Sequence, residues 1–285
     1  MSKNIVRVHC LAVVALVLLC GCVSVREPER PAGPHFAVLT YNVNYGGPRA
    51  DLAAKAILHA DADIVCLQET TPYWERVLRA RLKDKYPHAI FRHFGGAGGQ
   101  AVLSRLPVKE TAYVLPEAGW FPGWIVEAQT PVGPVQILNV HLRPAISDSG
   151  SFTPSSYYST KAVRLDEIRW FANRLNPKRA AIVLGDFNED DSGRAVQWLT
   201  TNGMKDALRE FDRGADTWRW RTSVGTFSDR LDHILYSPDL HCFYARVIKR
   251  GASDHLPVVA VFGEKKAETQ GNGKAQPQCQ RPKSK

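Results

Sequence analysis

The chain predicts an α/β domain, and three observations carry that prediction. Short apolar, partly β-branched runs alternate with amphipathic helical stretches. With 285 residues and 44% hydrophobic content the chain can bury one full core, and no repeat at a fixed period suggests a solenoid. Four of the apolar runs end in polar side chains, the pattern of strands that deliver functional groups to a sheet edge.

Taken in order, Phe36 to Asn42 reads as a strand and Arg49 to Ala60 as an amphipathic helix with Leu52, Ala53, Ala56, Ile57 and Ala60 on one side. Asp63 to Glu69 is a strand ending in Gln68 and Glu69. Pro72 to Lys85 is a helix with Pro72 in its first turn and Trp74, Val77, Leu78 and Leu82 on one face. From His88 to Val114 short strands flank Gly95-Gly96-Ala97-Gly98-Gly99. That cluster lacks the Gly-Lys-Ser/Thr of a phosphate-binding P-loop and reads as a hairpin turn. Trp124 to Gln129 and Val135 to His141 bracket a Pro/Gly turn and form an antiparallel pair. Arg143 to Ser156 is a polar loop, Tyr158 to Leu175 a helix, Ala181 to Asn188 the central strand and Ser192 to Asn202 a helix. Asp212 to Phe227 has no clear period. Leu231 to Tyr236, His241 to Lys249 and Leu256 to Phe262 close the domain as strands.

In the central strand Asp186 and Asn188 sit two apart, so an extended backbone sends both side chains to one face. Alone, Gly-Asp-x-Asn serves equally well as a helix cap. Its companions are Asn42, the Gln68-Glu69 pair and His141, each at the end of another apolar run. Carboxylates, amides and an imidazole at strand ends suit phosphate and metal chemistry. Two later segments add to the set. Asp232 begins a strand, and Ser253-Asp254-His255 precedes the last one, so Asp232 can orient and charge His255.

The termini read differently from the body. Lys3 and Arg7, an apolar run from Val8 to Leu19, and Leu19-Cys20-Gly21-Cys22 form a signal-peptide layout over residues 1–21, too short for an ordinary membrane span. The Leu-Cys-Gly-Cys ending resembles the bacterial lipobox. It implies that Cys22 is lipidated and that the mature protein is exported and held at the cell envelope; a leader cleaved without lipidation is the alternative. Residues 22–35 read as the lipidated Cys and a Pro-rich tether without packing content, and residues 264–285 as a disordered basic tail. The net charge of +9 is concentrated in leader and tail, which leaves about +3 for the body and little support for a nucleic-acid face. Cys66 and Cys242 lie in apolar, strand-like contexts, Cys279 in the tail, and no pairing is evident. Without a Cys-x-x-Cys, a zinc site is rejected.

Seven stretches now stand in order: Thr40-Tyr41-Asn42, Leu67-Gln68-Glu69, Gly99 to Arg105, Asn139-Val140-His141, Gly185-Asp186-Phe187-Asn188, Leu231 to Leu235 and Ser253-Asp254-His255. Together they resemble the endonuclease/exonuclease/phosphatase superfamily of pancreatic-type deoxyribonucleases, abasic-site endonucleases, inositol-polyphosphate 5-phosphatases and bacterial sphingomyelinases. The resemblance covers residues 36–263. It implies a four-layered α/β sandwich of two facing mixed β-sheets flanked by helices, with the active site at one end.

The resemblance further implies that Glu69, assisted by Asn42, is the main Mg²⁺ or Mn²⁺ ligand, with Asp254 placed for a second ion, which agrees with the oxygen preference of hard cations. It implies that Asp186 orients or deprotonates the attacking water and that Asn188 holds the phosphate. His141 and His255, the latter paired with Asp232, would donate to phosphate oxygens. Tyr113 lies near the region where abasic endonucleases use a tyrosine and is left unassigned. The expected activity is hydrolysis of a phosphoester by a monomer, first a nuclease, with phospholipid, sphingomyelin or inositol phosphate as alternative substrates. Trp218, Trp220, Trp120, Phe121 and Trp124 are candidate lipid anchors, although such tryptophans are more often packing. A catalytically dead binding protein is the rival of another class, opposed by the presence of Glu69, Asp186 and His255.

Overall fold

The computed structural model describes residues 26–265, apart from 48, 152 and 224. The elements run β1 (His35–Asn42), α1 (Ala50–Ala60), β2 (Ile64–Gln68), α2 (Pro72–Leu82), β3 (His88–Arg92), β4 (Gln100–Ser104), β5 (Val108–Val114), β6 (Gly123–Thr130) and β7 (Gly133–His141). They continue with α3 (Pro154–Ala172), β8 (Ala181–Asp186), α4 (Arg194–Thr201), β9 (Lys205–Asp206), α5 (Ala207–Phe211), β10 (Trp218–Thr222), β11 (Gly225–Asp229), β12 (Asp232–Tyr236), β13 (Leu240–Val247) and β14 (Val258–Glu264).

One six-stranded sheet has the order β13-β14-β1-β2-β4-β3 and the other β5-β6-β7-β8-β12-β9. Each is mixed, because β1 and β2 are parallel in the first and β7 and β8 in the second, while their other pairings are antiparallel. Strand alternation sorts the side chains. Val38, Ile64, Val102, Ile137, Ile182, Leu184, Ile234 and Val258 fill the space between the sheets. Leu39, Tyr41, Val65 and Leu67 instead pack outward against Ile57, Trp74 and Leu78 of α1 and α2. Leu138, Val140, Val183 and Leu235 pack against Ile168, Phe171 and Leu199 of α3 and α4. Helix, sheet, sheet and helix make four layers, each apolar face covered by the next.

At one pole the inner rows change from apolar to polar. Asn42, Gln68, His141 and Asp186 end β1, β2, β7 and β8, while Asp232 begins β12 and His255 precedes β14. All six are buried. Just beneath them the sheets are joined by amides: Gln68 Nε2 donates to Asn139 Oδ1 at 2.6 Å, and Asn139 Nδ2 donates to the Leu67 carbonyl at 3.1 Å.

Several sequence expectations change. α3 begins at Pro154, inside the expected loop, because Thr153 and Ser156 form a reciprocal capping box ahead of it. The segment without a clear period folds as the β10–β11 hairpin, a two-stranded sheet separate from both others. β14 runs through Glu264, with Gly263 opposite His35 and Glu264 opposite Leu240, so the domain extends past the expected boundary. The tether was expected to lack packing, yet the Arg26 amide donates to the Glu210 carbonyl at 2.8 Å and the Glu29 amide to the Phe243 carbonyl at 2.9 Å. The Arg26 guanidinium lies 5.4 Å from the Phe211 ring centre and pairs with Glu29 and Glu210. This strap sits at the start of β1 and β13, the pole opposite the polar cluster. Cys66 and Cys242 are buried free thiols, as their apolar contexts suggested. Residues 1–25 and 266–285, including the leader, Cys22 and nearly all of the tail, lie outside the described residues.

Candidate active site

Asp186 is the centre of the polar pole. Parallel pairing sets it opposite His141, and antiparallel pairing sets it opposite Asp232. Gly185 makes this close approach feasible: at φ 141° it needs no Cβ, and one would lie 1.9 Å from the Val140 carbonyl oxygen. Asp186 Oδ1 accepts from the Asn188 amide at 2.9 Å, while Oδ2 accepts from Asn42 Nδ2 at 2.9 Å. Oδ2 also faces His141 Nε2 at 3.5 Å and His255 Nε2 at 3.6 Å. One carboxylate oxygen therefore meets two imidazoles and an amide from three other strand ends.

Each imidazole is fixed by its other nitrogen. His255 Nδ1 lies 2.8 Å from Asp232 Oδ2. Burial alone would push the His255 imidazole down, but the Asp232 and Asp186 carboxylates outweigh it and raise it to about 10, so it is an imidazolium at neutral pH. His141 Nδ1 lies 3.2 Å from the Ala97 carbonyl; since a carbonyl only accepts, that nitrogen carries the hydrogen. Phe121 stacks on the ring with centroids 4.3 Å apart. The glycine turn thus contributes a backbone oxygen to the site, a role its sequence did not suggest.

Glu69 stands at the mouth at φ 62°, in the left-handed region that costs a non-glycine residue roughly 1–2 kcal/mol. Its Oε1 accepts from Asn42 Nδ2 at 3.0 Å and its Oε2 from the Tyr45 amide at 2.9 Å. Asp254 Oδ1 accepts from Asn44 Nδ2 at 2.9 Å and Oδ2 from Trp218 Nε1 at 3.1 Å. Burial pushes the Asp254 carboxyl up, but His255 and the two neutral donors outweigh it and hold it below its ordinary value. Among the described residues no Lys or Arg pairs with Glu69, Asp186 or Asp254. Glu69, without a Lys or Arg partner and linked to Asp186 through Asn42 Nδ2, offers the kind of carboxylate oxygen that a hard divalent cation takes.

A second grouping, Asp186, Asp232 and His255, brings possible ligand atoms within 4.8 Å of one another. Within it His255 Nδ1 lies 2.8 Å from Asp232 Oδ2, so the three side chains are held together as a hydrogen-bonded triad. Asn188, at φ 51°, donates from Nδ2 to the Leu142 carbonyl at 3.0 Å, and its backbone amide anchors Asp186.

The sequence also gave no sign of Thr217, whose buried Oγ1 accepts from the Leu231 and Asp232 amides at 3.0 and 2.9 Å while its carbonyl accepts from the Leu256 amide. It locks the start of β12 to the His255 segment. Of the candidate anchors, Trp124 is core and donates to Glu110, Phe121 is buried under His141, and Trp120 lies beneath the Arg143 guanidinium at 3.3 Å. Trp218 and Trp220 remain at the surface beside the site. Tyr113 packs edge-on against Trp124, on the β5–β6 pair.

A sequence profile of the Endonuclease/Exonuclease/phosphatase family matches residues 39–255, and the chain belongs to that family. No curated protein matches it in sequence. Among solved structures it is similar to an AP endonuclease from Archaeoglobus fulgidus, with 20% identity, TM-score 0.62, and 80% of this chain and 99% of that one covered. It is also similar to TDP2 from C. elegans, with 19% identity, TM-score 0.59, and 80% and 75% covered. A functionally unknown conserved protein from Enterococcus faecalis has 20% identity, TM-score 0.61, and 80% and 100% covered. These likenesses show the fold alone, an α/β sandwich.

Proposed function

We propose that this protein is a divalent-cation-dependent phosphoester hydrolase of the nuclease type, cleaving its substrate by in-line attack of water. One observation carries the reading: Asp186 Oδ2 lies within 3.6 Å of both His141 Nε2 and His255 Nε2, so a base and two phosphate donors surround a single point. Mg²⁺ or Mn²⁺ held by Glu69, whose Oε1 Asn42 orients through Nδ2, and a second ion at Asp254, would neutralise charge on the phosphoryl oxygens. Asp186, anchored through Oδ1, presents Oδ2, which also accepts from Asn42 Nδ2, to orient the water and take its proton. His255, charged by Asp232, donates from Nε2 to a phosphate oxygen as negative charge builds. His141, with its Nδ1 hydrogen fixed on Ala97, donates from Nε2 when protonated. Preorganised donors of this kind are each worth on the order of 3 kcal/mol of barrier.

The test is a panel of plasmid DNA, abasic-site DNA, sphingomyelin and inositol phosphates offered to the purified protein with Mg²⁺, Mn²⁺ or EDTA. Cleavage of nucleic acid that EDTA abolishes is expected. Activity confined to sphingomyelin or inositol phosphates transfers the reading to those substrates, and no cleavage by metal-loaded protein favours a binding protein. We also propose that Cys22 carries a lipid that holds the enzyme, as a monomer, at the bacterial cell envelope. Cys22→Ser is then expected to release the protein from membranes, and mass spectrometry of an acyl-free mature N-terminus at another residue refutes the anchor.

A further inference from the structure

The β10–β11 hairpin belongs to neither large sheet, yet it is fastened to the mouth. Trp218 forms an isolated antiparallel bridge with His255, its Nε1 donates to Asp254 Oδ2 at 3.1 Å, and the Arg219 amide donates to the Asp254 carbonyl at 2.9 Å. Strand alternation then places Trp218 and Trp220 on one face, with Phe227 directly across from Trp220. Ring centres step outward at 6.5 Å from Trp218 to Trp220 and 6.2 Å from Trp220 to Phe227, tilted by 35° and 38°. The rings do not stack on one another, and Trp220 and Phe227 are each 54% exposed. Two exposed aromatics in direct contact, beside a third that touches the mouth, are far more than the scattered apolar residues of an ordinary surface.

The arrangement selects its occupant. Aromatic side chains on alternate strand positions are spaced to take successive bases of an extended single strand, and stacking on them needs no particular sequence. Arg219 and Arg221 lie on the opposite face, are exposed, and form no ion pair among the described residues, which leaves their charge for a phosphate backbone passing the ribbon edge. The Trp220–Phe227 pair lies in the middle of the paired stem, with Trp218 between it and the catalytic groups.

We propose that the β10–β11 hairpin is a stacking platform for unpaired bases, which holds single-stranded nucleic acid on Trp220 and Phe227 and leads the adjoining phosphate past Trp218 into the mouth. The inference rests on the nuclease reading of the site and names its substrate class. The platform explains how a body of modest net charge holds a nucleic acid, since ring contacts replace a broad basic surface.

The test compares the wild type with Trp220→Ala/Phe227→Ala and with Trp220→Tyr/Phe227→Tyr, all as purified full chains. Binding of a short fluorescein-labelled oligothymidylate is followed by anisotropy in EDTA, and turnover of bis(p-nitrophenyl) phosphate is measured with Mg²⁺. Loss of the rings is expected to weaken oligonucleotide binding by about ten- to a hundredfold. The tyrosine pair restores most of that binding, and turnover of the small diester is unchanged in both variants. Absence of oligonucleotide binding by the wild type, equal binding by the alanine pair, or a matching loss on the small diester overturns the platform. So does an alanine pair that keeps the oligonucleotide but loses binding to phosphatidylcholine/phosphatidylglycerol vesicles, which assigns the rings to a membrane. A wild type that cleaves no phosphodiester while its oligonucleotide binding still depends on the rings overturns the hydrolase reading and leaves the platform standing.

Discussion

Strand β12 carries two histidine–carboxylate pairs back to back. On its inner face Asp232 holds His255 Nδ1 at 2.8 Å; on its outer face the next residue, His233, holds Asp206 through Nδ1 at 2.6 Å. In both, burial alone would push the imidazole down and the facing carboxylate outweighs it, raising His233 to about 9 and His255 to about 10. The pairs differ at the remaining nitrogen. His233 Nε2 is 3.0 Å from the Glu189 carbonyl, so both its hydrogens are committed inside the protein. The nearest partner of His255 Nε2 is Asp186 Oδ2 at 3.6 Å, beyond hydrogen-bonding distance. An equally charged imidazole is thus structural in one case and able to donate to a ligand in the other, and the unspent hydrogen makes the difference.

The strongest way to test that contrast is to remove the groups around the unspent hydrogen. Asp186→Asn and His255→Ala are each expected to lower kcat on the order of a thousandfold or more, with no rescue by metal, and the double variant to be far less than additive. Near-wild-type turnover by either folded single variant on a phosphoester that the wild type cleaves places the chemistry elsewhere. Glu69→Gln is expected to lose activity more mildly and to regain part of it in excess Mg²⁺ or Mn²⁺, because the shape survives while charge for the cation is lost. A titration in which added metal restores nothing removes Glu69 from the cation site.

On the outer face the expected damage is to stability. His233→Ala leaves Asp206 buried without its cation and should cost about 3–5 kcal/mol, read as a fall in Tm, with kcat well below the new Tm within a few-fold of wild type. The same pair leaves a trace in pH dependence. A folded-state value raised to about 9 gives stability that is complete below the ordinary 6.5 and fades as pH rises through 9. Chemical denaturation of His233→Gln across that window should therefore show a shallower decline than wild type, retaining only the part contributed by His255. Parallel curves would mean that His233 is neutral in the fold. The smallest effect is expected from deleting residues 266–285, which should leave both Tm and kcat unchanged. Reduced activity at constant Tm would give the tail a part in substrate binding.

Sequence reading reached the site more completely than the contrast beside it. Asn42, Glu69, His141, Asp186 and Asp232 were legible because each ends or begins an apolar run whose burial fixes the strand, and the strand end then fixes the side chain. His233 was passed over because a polar residue inside such a run looks the same whether its partner is one strand away or absent, and Asp206 lies on a two-residue strand too short to show a pattern. The β10–β11 hairpin escaped for the opposite reason. Trp-Arg-Trp-Arg alternates, but its aromatic face is not turned into a core, so the alternation did not separate inside from outside. The backbone contributions of Ala97 and Tyr45 leave no residue-type signal at all, since any amino acid but proline supplies the amide and any supplies the carbonyl.

The docked strap at Arg26 and Glu29 gives the molecule a front and a back. β1 enters beside that strap and spends its eight residues, about 25 Å, crossing to Asn42 at the mouth. The strap and the mouth therefore stand at opposite ends of β1, and substrate reaches the catalytic groups from the side away from Arg26 and Glu29.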